Sequence, residues 1–186
     1  MRVIAGSARR LLLVAPKGNE TRPTSDITKE TLFNCLMPYV EGATFLDLFA
    51  GSGAIGIEAL SRGAKSCIFV EKSKEACDCI NKNLATTHFT DMAVLEKGDV
   101  LGMLQRLENK GPFDIIFMDP PFNYDLEKAG LNIISGSKLL SEDGIVVVEA
   151  SKETDFDYLK SLGFEIFKIK EYKTHKHVFI RKAMYE

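Results

Sequence analysis

The chain has 186 residues, of which 45% are hydrophobic and 27% charged, with a net charge of −2 at pH 7. This composition is typical of one globular domain with a full core, and no apolar run reaches the roughly 18 residues that a membrane span needs. The N-terminus lacks the long apolar stretch of a signal peptide, and the four cysteines form no C-x-x-C pair, so we expect a cytoplasmic protein with free thiols and no membrane partner.

The charge is unevenly distributed along the chain. Residues 1–40 and residues 164–186 each carry a balance of +3, whereas residues 41–163 carry −8. If the two basic ends fold to one side of the molecule, that side attracts a polyanion. The alternative is that small excesses of this kind are ordinary solvated surface.

Residues 1–40 are predicted to form an N-terminal basic extension. Short extended runs separated by a basic turn indicate a hairpin over residues 1–22. A helix is expected at about 26–39, with Ser25 or Asp26 as its N-cap.

Strands and helices alternate over residues 41–186, which we expect to form a single compact unit. The predicted strands are Thr44–Leu48, Cys67–Val70, Ala93–Glu96, Phe113–Met118, Ile145–Glu149, Phe164–Ile169 and Val178–Arg181. The predicted helices are Gly53–Arg62, Ser73–Thr86, Val100–Glu108, Tyr124–Ser135 and Asp155–Ser161. Apolar strands joined by helices form parallel sheets covered on both faces, and strands joined without a helix pair antiparallel. The pattern predicts an α/β Rossmann-like fold whose mostly parallel seven-stranded sheet ends in an antiparallel strand.

The first predicted strand is followed by a glycine-rich turn, residues 47–53 (Asp-Leu-Phe-Ala-Gly-Ser-Gly). Ligands of open α/β sheets bind beyond the carboxyl ends of the strands, where glycines let the backbone approach closely and the next helix offers free N–H groups. Residues 51–56 also match G-x-G-x-x-G, which alone is weak evidence for a dinucleotide site. The alternative is a tight turn that binds no ligand.

Acidic residues around this turn favour one class of cofactor. Glu71 at the end of the second strand suits the two hydroxyls of a ribose, which fits both NAD and S-adenosylmethionine. Asp47 would repel a pyrophosphate but suits a cofactor carrying an ammonium and a sulfonium. Asp99 is placed to meet an adenine amino group or to cap the following helix, and both roles are compatible. The predicted cofactor-binding residues are Asp47, Phe49, Gly51, Ser52, Gly53, Glu71, Lys72 and Asp99.

The fourth strand leads into Asp119-Pro120-Pro121-Phe122, which predicts a clamp for a base carrying an amino group. The nitrogen lone pair of such a group is delocalised into the ring, and an acceptor on each N–H makes the nitrogen more nucleophilic. The Asp119 carboxylate and the Pro120 carbonyl supply two acceptors, the prolines restrict the backbone, and Phe122 offers a stacking face. In-line attack on a sulfonium methyl then depends largely on positioning and requires no metal. A strand-ending turn with a core phenylalanine is the alternative interpretation.

Residues 47–53, Glu71 and residues 119–122 resemble the class I S-adenosylmethionine-dependent methyltransferases that modify amino groups. The N-terminal half is similar, more narrowly, to the bacterial 16S rRNA guanine-N2 methyltransferase family. The segments that carry this similarity are Met1–Gly6, Thr21–Thr24, Asp26, Lys29–Asn34, Asp47–Gly53 and Glu58–Gly63. The resemblance implies methyl transfer to the N2 of a guanine in 16S rRNA, held by Asp119, Pro120, Pro121 and Phe122. It also implies that the N-terminal hairpin and Arg22 face the RNA.

The candidate RNA contacts are the basic residues Arg9, Arg10, Lys17 and Arg22, and we expect an assembly intermediate of the small subunit as partner and a monomeric enzyme. The sequence departs from the resembled pattern at Tyr172-Lys173, where family members often have Tyr-Gly. Three other functions stay open: an adenine-N6 methyltransferase acting on RNA or DNA, an NAD-dependent oxidoreductase, and an inactive RNA-binding relative.

Overall fold

The computed structural model describes residues 1–18 and 24–184. Its α-helices are α1 (Asp26–Val40), α2 (Ala54–Ser61), α3 (Lys74–Thr87), α4 (Val100–Leu107) and α5 (Leu126–Ser135). Its strands are β1 (Thr44–Leu48), β2 (Ser66–Glu71), β3 (Ala93–Lys97), β4 (Phe113–Met118), β5 (Leu140–Ser151), β6 (Phe164–Glu171) and β7 (His175–Lys182). In the described residues, no helix is both long and apolar enough to cross a lipid bilayer.

The seven strands form one sheet in the order β3-β2-β1-β4-β5-β7-β6. The pairs from β3 to β5 are parallel, and β7 runs antiparallel to both of its neighbours. This arrangement confirms the predicted Rossmann-like fold with its antiparallel last strand. The carboxyl ends of β1, β2, β4 and β5 therefore meet at one edge of the sheet.

Several element boundaries differ from the sequence prediction: β7, for example, begins at His175 and not at Val178, and β6 continues to Glu171. Three of the differences have a clear local cause. Strand β5 begins at Leu140 because that residue pairs with Phe113 ahead of a register shift in β4. Helix α5 begins only at Leu126, after Asp125 in a left-handed conformation (φ 51°). The predicted helix 155–161 is a 3-10 helix over Asp157–Leu162, closed by the left-handed Gly163. Each change occurs where a local turn or a distant pairing overrides helical or strand propensity.

Both faces of the sheet are buried, as parallel pairing requires. Phe45, Phe69, Phe117 and Phe179 lie in the core on the side of α1, α2 and α3. Alternate residues of the same strands, such as Leu46, Leu48, Ile116 and Val178, lie in the core on the side of α4 and α5. The period-2 alternation of strand side chains places these two sets on opposite faces.

Residues 1–18 form a short hairpin that packs onto α2, and residues 19–22 of the predicted hairpin lie outside the described residues. The Val3 N–H donates to the Leu11 carbonyl at 3.0 Å, and Arg2 and Leu12 form an antiparallel bridge. At Gly6 (φ +84°) a Cβ would lie 1.7 Å from the Ser61 carbonyl oxygen, so only glycine fits this approach. The domain boundary at residue 40 stays a prediction.

A buried carboxylate holds the hairpin, α1 and α2 together. Glu58 on α2 has no exposed surface, and its oxygens accept from the backbone N–H groups of Ile4 (2.9 Å) and Ala5 (3.0 Å) and from Arg62 Nε (2.8 Å). Lys29 on α1 is also buried, with its Nζ 3.5 Å from Glu58 Oε2 and 2.6 Å from the Arg2 carbonyl. Burial lowers the pKa of Lys29, and Glu58 opposes that shift.

Removing this carboxylate should destabilise the fold strongly. Glu58→Ala removes the carboxylate that the buried Lys29 ammonium and two backbone N–H groups contact. Loss of one partner of a buried ion pair costs about 3–5 kcal/mol. Urea unfolding of both proteins measures the difference. Asp78→Ala, which breaks the exposed ion pair with Lys74, is the matched control and should cost less than about 1 kcal/mol. Equal costs for the two variants would contradict the central role of Glu58.

Candidate active site

An open cleft of about 1320 Å³ lies at the carboxyl edge of the sheet. Register pairs Leu48 with both Val70 and Met118, so the loops after β1, β2 and β4 start side by side. The hairpin exit at residues 15–18 and the turn between β6 and β7 complete its walls. The predicted site residues that line the cleft are Lys17, Phe49, Gly51, Ser52, Glu71, Lys72, Asp99, Asp119, Pro120, Pro121 and Phe122.

Glu71 organises the glycine loop. One carboxylate oxygen accepts from the Gly51 N–H and the other from the Ser73 N–H, each at 2.8 Å. Gly51 has a positive φ of 58°, and no atom lies within 4 Å of the place where a Cβ would stand. Gly53 (φ 80°) is the N-cap of α2, and a Cβ there would press on Phe69 and Ile80 at 3.2–3.3 Å. The loop therefore leaves its backbone open to a ligand on one side and packs against the core on the other.

Asp47 lies beneath the loop and does not line the cleft. Its side chain is buried, and Oδ2 accepts from the Gly56 N–H at 3.0 Å inside the first turn of α2. Burial raises the pKa of Asp47 well above its usual range, and the nearby Glu71 raises it further. The sequence pattern predicts direct contact between Asp47 and a cationic cofactor. The structure instead places Asp47 where it fixes the loop to the helix.

Asp99 caps a helix and also lines the cleft. It is the N-cap of α4, with Oδ2 accepting from the Gly102 N–H at 3.2 Å. It also lines the cleft on the same side as Lys72 and Glu71. A carboxylate oxygen has two lone pairs, so capping leaves Asp99 able to accept a further hydrogen bond.

The D-P-P-F segment follows β4 as predicted and faces the cleft. Pro120 is buried, Asp119 is partly buried, and Phe122 keeps 38% of its surface exposed. Burial raises the pKa of Asp119 well above its usual range, and the carboxylates of Glu149 and Asp47 raise it further. A raised pKa makes the Asp119 carboxylate a stronger proton acceptor than an ordinary aspartate.

A second carboxylate stands beside Asp119 that the sequence analysis did not identify. Glu149 lies near the end of β5 and lines the cleft, and Oε2 is 2.9 Å from the Nε2 of His177. The Tyr172 hydroxyl lies 3.1 Å from the other ring nitrogen, Nδ1, of His177. An acidic residue at the carboxyl end of a core strand was the available signal. The histidine partner required knowledge of the β5–β7 register, which pairs Glu149 with His177.

The candidate RNA contacts occupy different places. Arg9 and Arg10 are exposed at the hairpin tip outside the cleft, whereas Lys17 is exposed on the cleft wall. Arg22 lies outside the described residues. The structure therefore brings one of the four into the cleft and leaves two on an adjoining surface.

A family model described as "Conserved hypothetical protein 95" matches residues 1–181. YlbH of Bacillus subtilis is 42% identical over 156 residues, covering 83% of this chain and 85% of that relative. Ribosomal RNA small subunit methyltransferase D of Haemophilus influenzae is 38% identical over 154 residues, covering 82% and 80%. The solved structure of yhhF from Escherichia coli is 32% identical, covers 99% of both chains, and superimposes with a TM-score of 0.85.

The proton on Asp119 should be lost at a higher pH than in the unfolded chain, where aspartate titrates near pH 3.9. Burial and two neighbouring carboxylates disfavour its charged form. NMR titration of protein labelled with ¹³C at the aspartate carboxyls measures the midpoint, and the signal missing in Asp119→Asn identifies the residue. A midpoint at or below about 3.9 would contradict this electrostatic description of the cleft.

Proposed function

We propose that this chain, which belongs to the family described as "Conserved hypothetical protein 95", transfers a methyl group from S-adenosylmethionine to the exocyclic N2 of a guanine in 16S rRNA. One observation carries the proposal. The glycine loop, with Glu71 and Asp99 beside it, and the D-P-P-F segment open into the same cleft at the carboxyl edge of the sheet. The name of the Haemophilus influenzae relative supports small-subunit rRNA as the substrate class.

The residues around the glycine loop fit a cationic nucleoside cofactor. The carboxylates of Glu71 and Asp99 supply acceptors for ribose hydroxyls and an adenine amino group, and the open side of Gly51 leaves room for close backbone contact. When bound, S-adenosylmethionine supplies an electrophilic methyl on a sulfonium. Glu71 suits the ribose of NAD equally well, so the choice of S-adenosylmethionine rests on the D-P-P-F segment that opens into the same cleft.

The clamp residues orient and activate the base. The Asp119 carboxylate and the Pro120 carbonyl accept the two N–H bonds of the exocyclic amino group, which makes its nitrogen more nucleophilic. The partly exposed ring of Phe122 offers a stacking face for a base drawn out of its helix. As the new N–CH₃ bond forms, the amino nitrogen gives up one proton. Asp119, whose pKa is raised by burial, is the residue best placed to take it.

The basic hairpin is the proposed RNA face. Phosphate contacts position a nucleic acid without reading its sequence, and the exposed Arg9, Arg10 and Lys17 suit that role. This surface is small for a whole ribosomal RNA. We therefore propose an assembly intermediate of the small subunit as the substrate, with the enzyme acting as a monomer.

The test of the function is methyl transfer to undermethylated small ribosomal subunits. Labelled S-adenosylmethionine is incubated with protein and subunits, and the digested product is identified as a nucleoside. N2-methylguanosine is the expected product. N6-methyladenosine as the product would support the clamp chemistry but show that the target base is adenine. Absence of transfer to subunits, naked rRNA and DNA would overturn the proposal.

Asp119→Ala should abolish transfer while leaving the affinity for S-adenosylmethionine within a few-fold of the wild type. The substitution removes an acceptor on the amino group but none of the residues around the glycine loop. Calorimetric binding and single-turnover transfer separate the two effects. Asp143→Ala, an exposed residue near the other end of β5, is the control and should change neither. Parallel loss of binding and transfer would mean that the clamp assignment is wrong.

The double variant Arg9→Gln, Arg10→Gln should raise the KM for subunits and leave cofactor affinity unchanged. Each lost phosphate contact should also reduce the slope of log affinity against log salt by about 1. Subunit binding measured at several salt concentrations gives that slope. The control Arg106→Gln, Lys138→Gln removes two exposed charges outside the hairpin, and an equal effect of both double variants would refute a specific RNA face.

A further inference from the structure

A buried hydrogen-bonded chain fixes Glu149 at the cleft. His177 has no exposed surface, and its Nε2 lies 2.9 Å from Glu149 Oε2 while the Tyr172 hydroxyl lies 3.1 Å from its Nδ1. The neutral tautomer that satisfies both contacts carries its proton on Nε2 and donates it to Glu149. Tyr172 also packs edge-on to the His177 ring, with centroids 5.0 Å apart. The carboxylate of Glu149 is therefore held in one orientation from behind.

The strand register brings Glu149 next to the base clamp. Met118 of β4 pairs with Val148 of β5, so the following residues, Asp119 just after β4 and Glu149 within β5, are neighbours across the two strands. Both line the cleft, and Glu149 is near enough to raise the pKa of Asp119. The activation of an amino group described above uses Asp119 and Pro120 and assigns nothing to Glu149.

One oxygen of Glu149 retains capacity for a ligand. Oε2 receives the proton of His177, whereas Oε1 is 3.7 Å from Nε2 of His175, which is within ion-pair distance but longer than a hydrogen bond. A carboxylate oxygen accepts up to two hydrogen bonds. The pocket thus offers two adjacent carboxylates, and a fully complementary ligand presents two adjacent donors.

We propose that Glu149 determines the base specificity of the site by accepting the N1–H of guanine, while Asp119 and the Pro120 carbonyl hold the neighbouring N2 amino group. This inference rests on the proposed function. Guanine carries N1–H directly beside its amino group. Adenine carries a lone pair on N1 beside its amino group, which a carboxylate repels. His177 and Tyr172 are positioning residues, because they act on the base only through Glu149.

The decisive variant is Glu149→Gln, which replaces one acceptor oxygen by an amino donor. It is assayed on undermethylated subunits and on subunits reconstituted with rRNA that carries adenine at the mapped target position. A hydrogen bond to a charged group suggests a loss of about 10- to 100-fold in kcat/KM for guanine. The amide donor suits N1 of adenine, so the guanine-to-adenine ratio of kcat/KM should fall by at least as much. Calorimetric affinity for S-adenosylmethionine should stay within about twofold of the wild type.

Two further variants provide a control and a second, milder test. Glu153→Gln changes an exposed glutamate just after β5 and should leave both the rate and the ratio unchanged. Tyr172→Phe removes only the hydroxyl behind His177, and it should lower the guanine-to-adenine ratio by a smaller factor without loss of the folded state, as judged by thermal unfolding. This variant carries the test if Glu149→Gln does not fold.

The outcomes separate the inference from the function on which it rests. Wild-type transfer to guanine with an unchanged ratio in Glu149→Gln and Tyr172→Phe would refute the role of Glu149 and leave the function standing. A wild type that methylates adenine, or nothing, would overturn both.

Glu149, His175 and His177 also bring their ligand atoms within 4.8 Å of one another. Stoichiometric zinc in the purified protein, together with loss of transfer on chelation, would assign these residues to a metal and overturn the base-reading role.

Discussion

The buried carboxylate of Glu58 is the constraint on which the rest of the structure depends. A charge without solvent exposure is stable only when it is paired and hydrogen-bonded, and each of its partners comes from a different part of the chain. The hairpin supplies two backbone donors, α1 supplies Lys29, and α2 itself supplies Arg62. The hairpin, α1 and α2 are thereby fixed in one relative orientation.

That orientation matters because α2 is also the helix that begins at the glycine loop. Gly53 is its N-cap, and the Gly56 N–H in its first turn binds the buried Asp47. The same helix therefore holds the loop at one end and, through Glu58 and Ser61, the hairpin along its length. The proposed RNA face and the proposed cofactor loop are two ends of one rigid unit. The distance between a bound RNA and the methyl donor is then set by packing and not by a flexible linker.

The alternation of strands and helices, the glycine loop and the D-P-P-F segment were predictable, because each depends on local pattern and the known behaviour of parallel sheets. The interactions of Glu58 with Lys29 and of Glu149 with His177 were not, since they join residues 29 and 28 positions apart through packing and strand register. Asp47 shows a different limit. It directly precedes the glycine loop, but β1 is buried on both faces, and its sequence neighbours do not determine whether its side chain meets a ligand or the first turn of α2.

The distribution of charge around the cleft suits the proposed cofactor and base. A cationic cofactor and the donor edge of a neutral guanine both favour carboxylates, and Glu71, Asp99, Asp119 and Glu149 line the cavity. An RNA backbone would be repelled by the same groups. Basic residues from the two chain ends, Lys17 on the hairpin exit and Lys173 in the β6–β7 turn, stand on the walls of the same cleft. In the proposed function the lysines attract phosphates while the carboxylates remain available to the base, so a net charge of −2 is compatible with an RNA substrate.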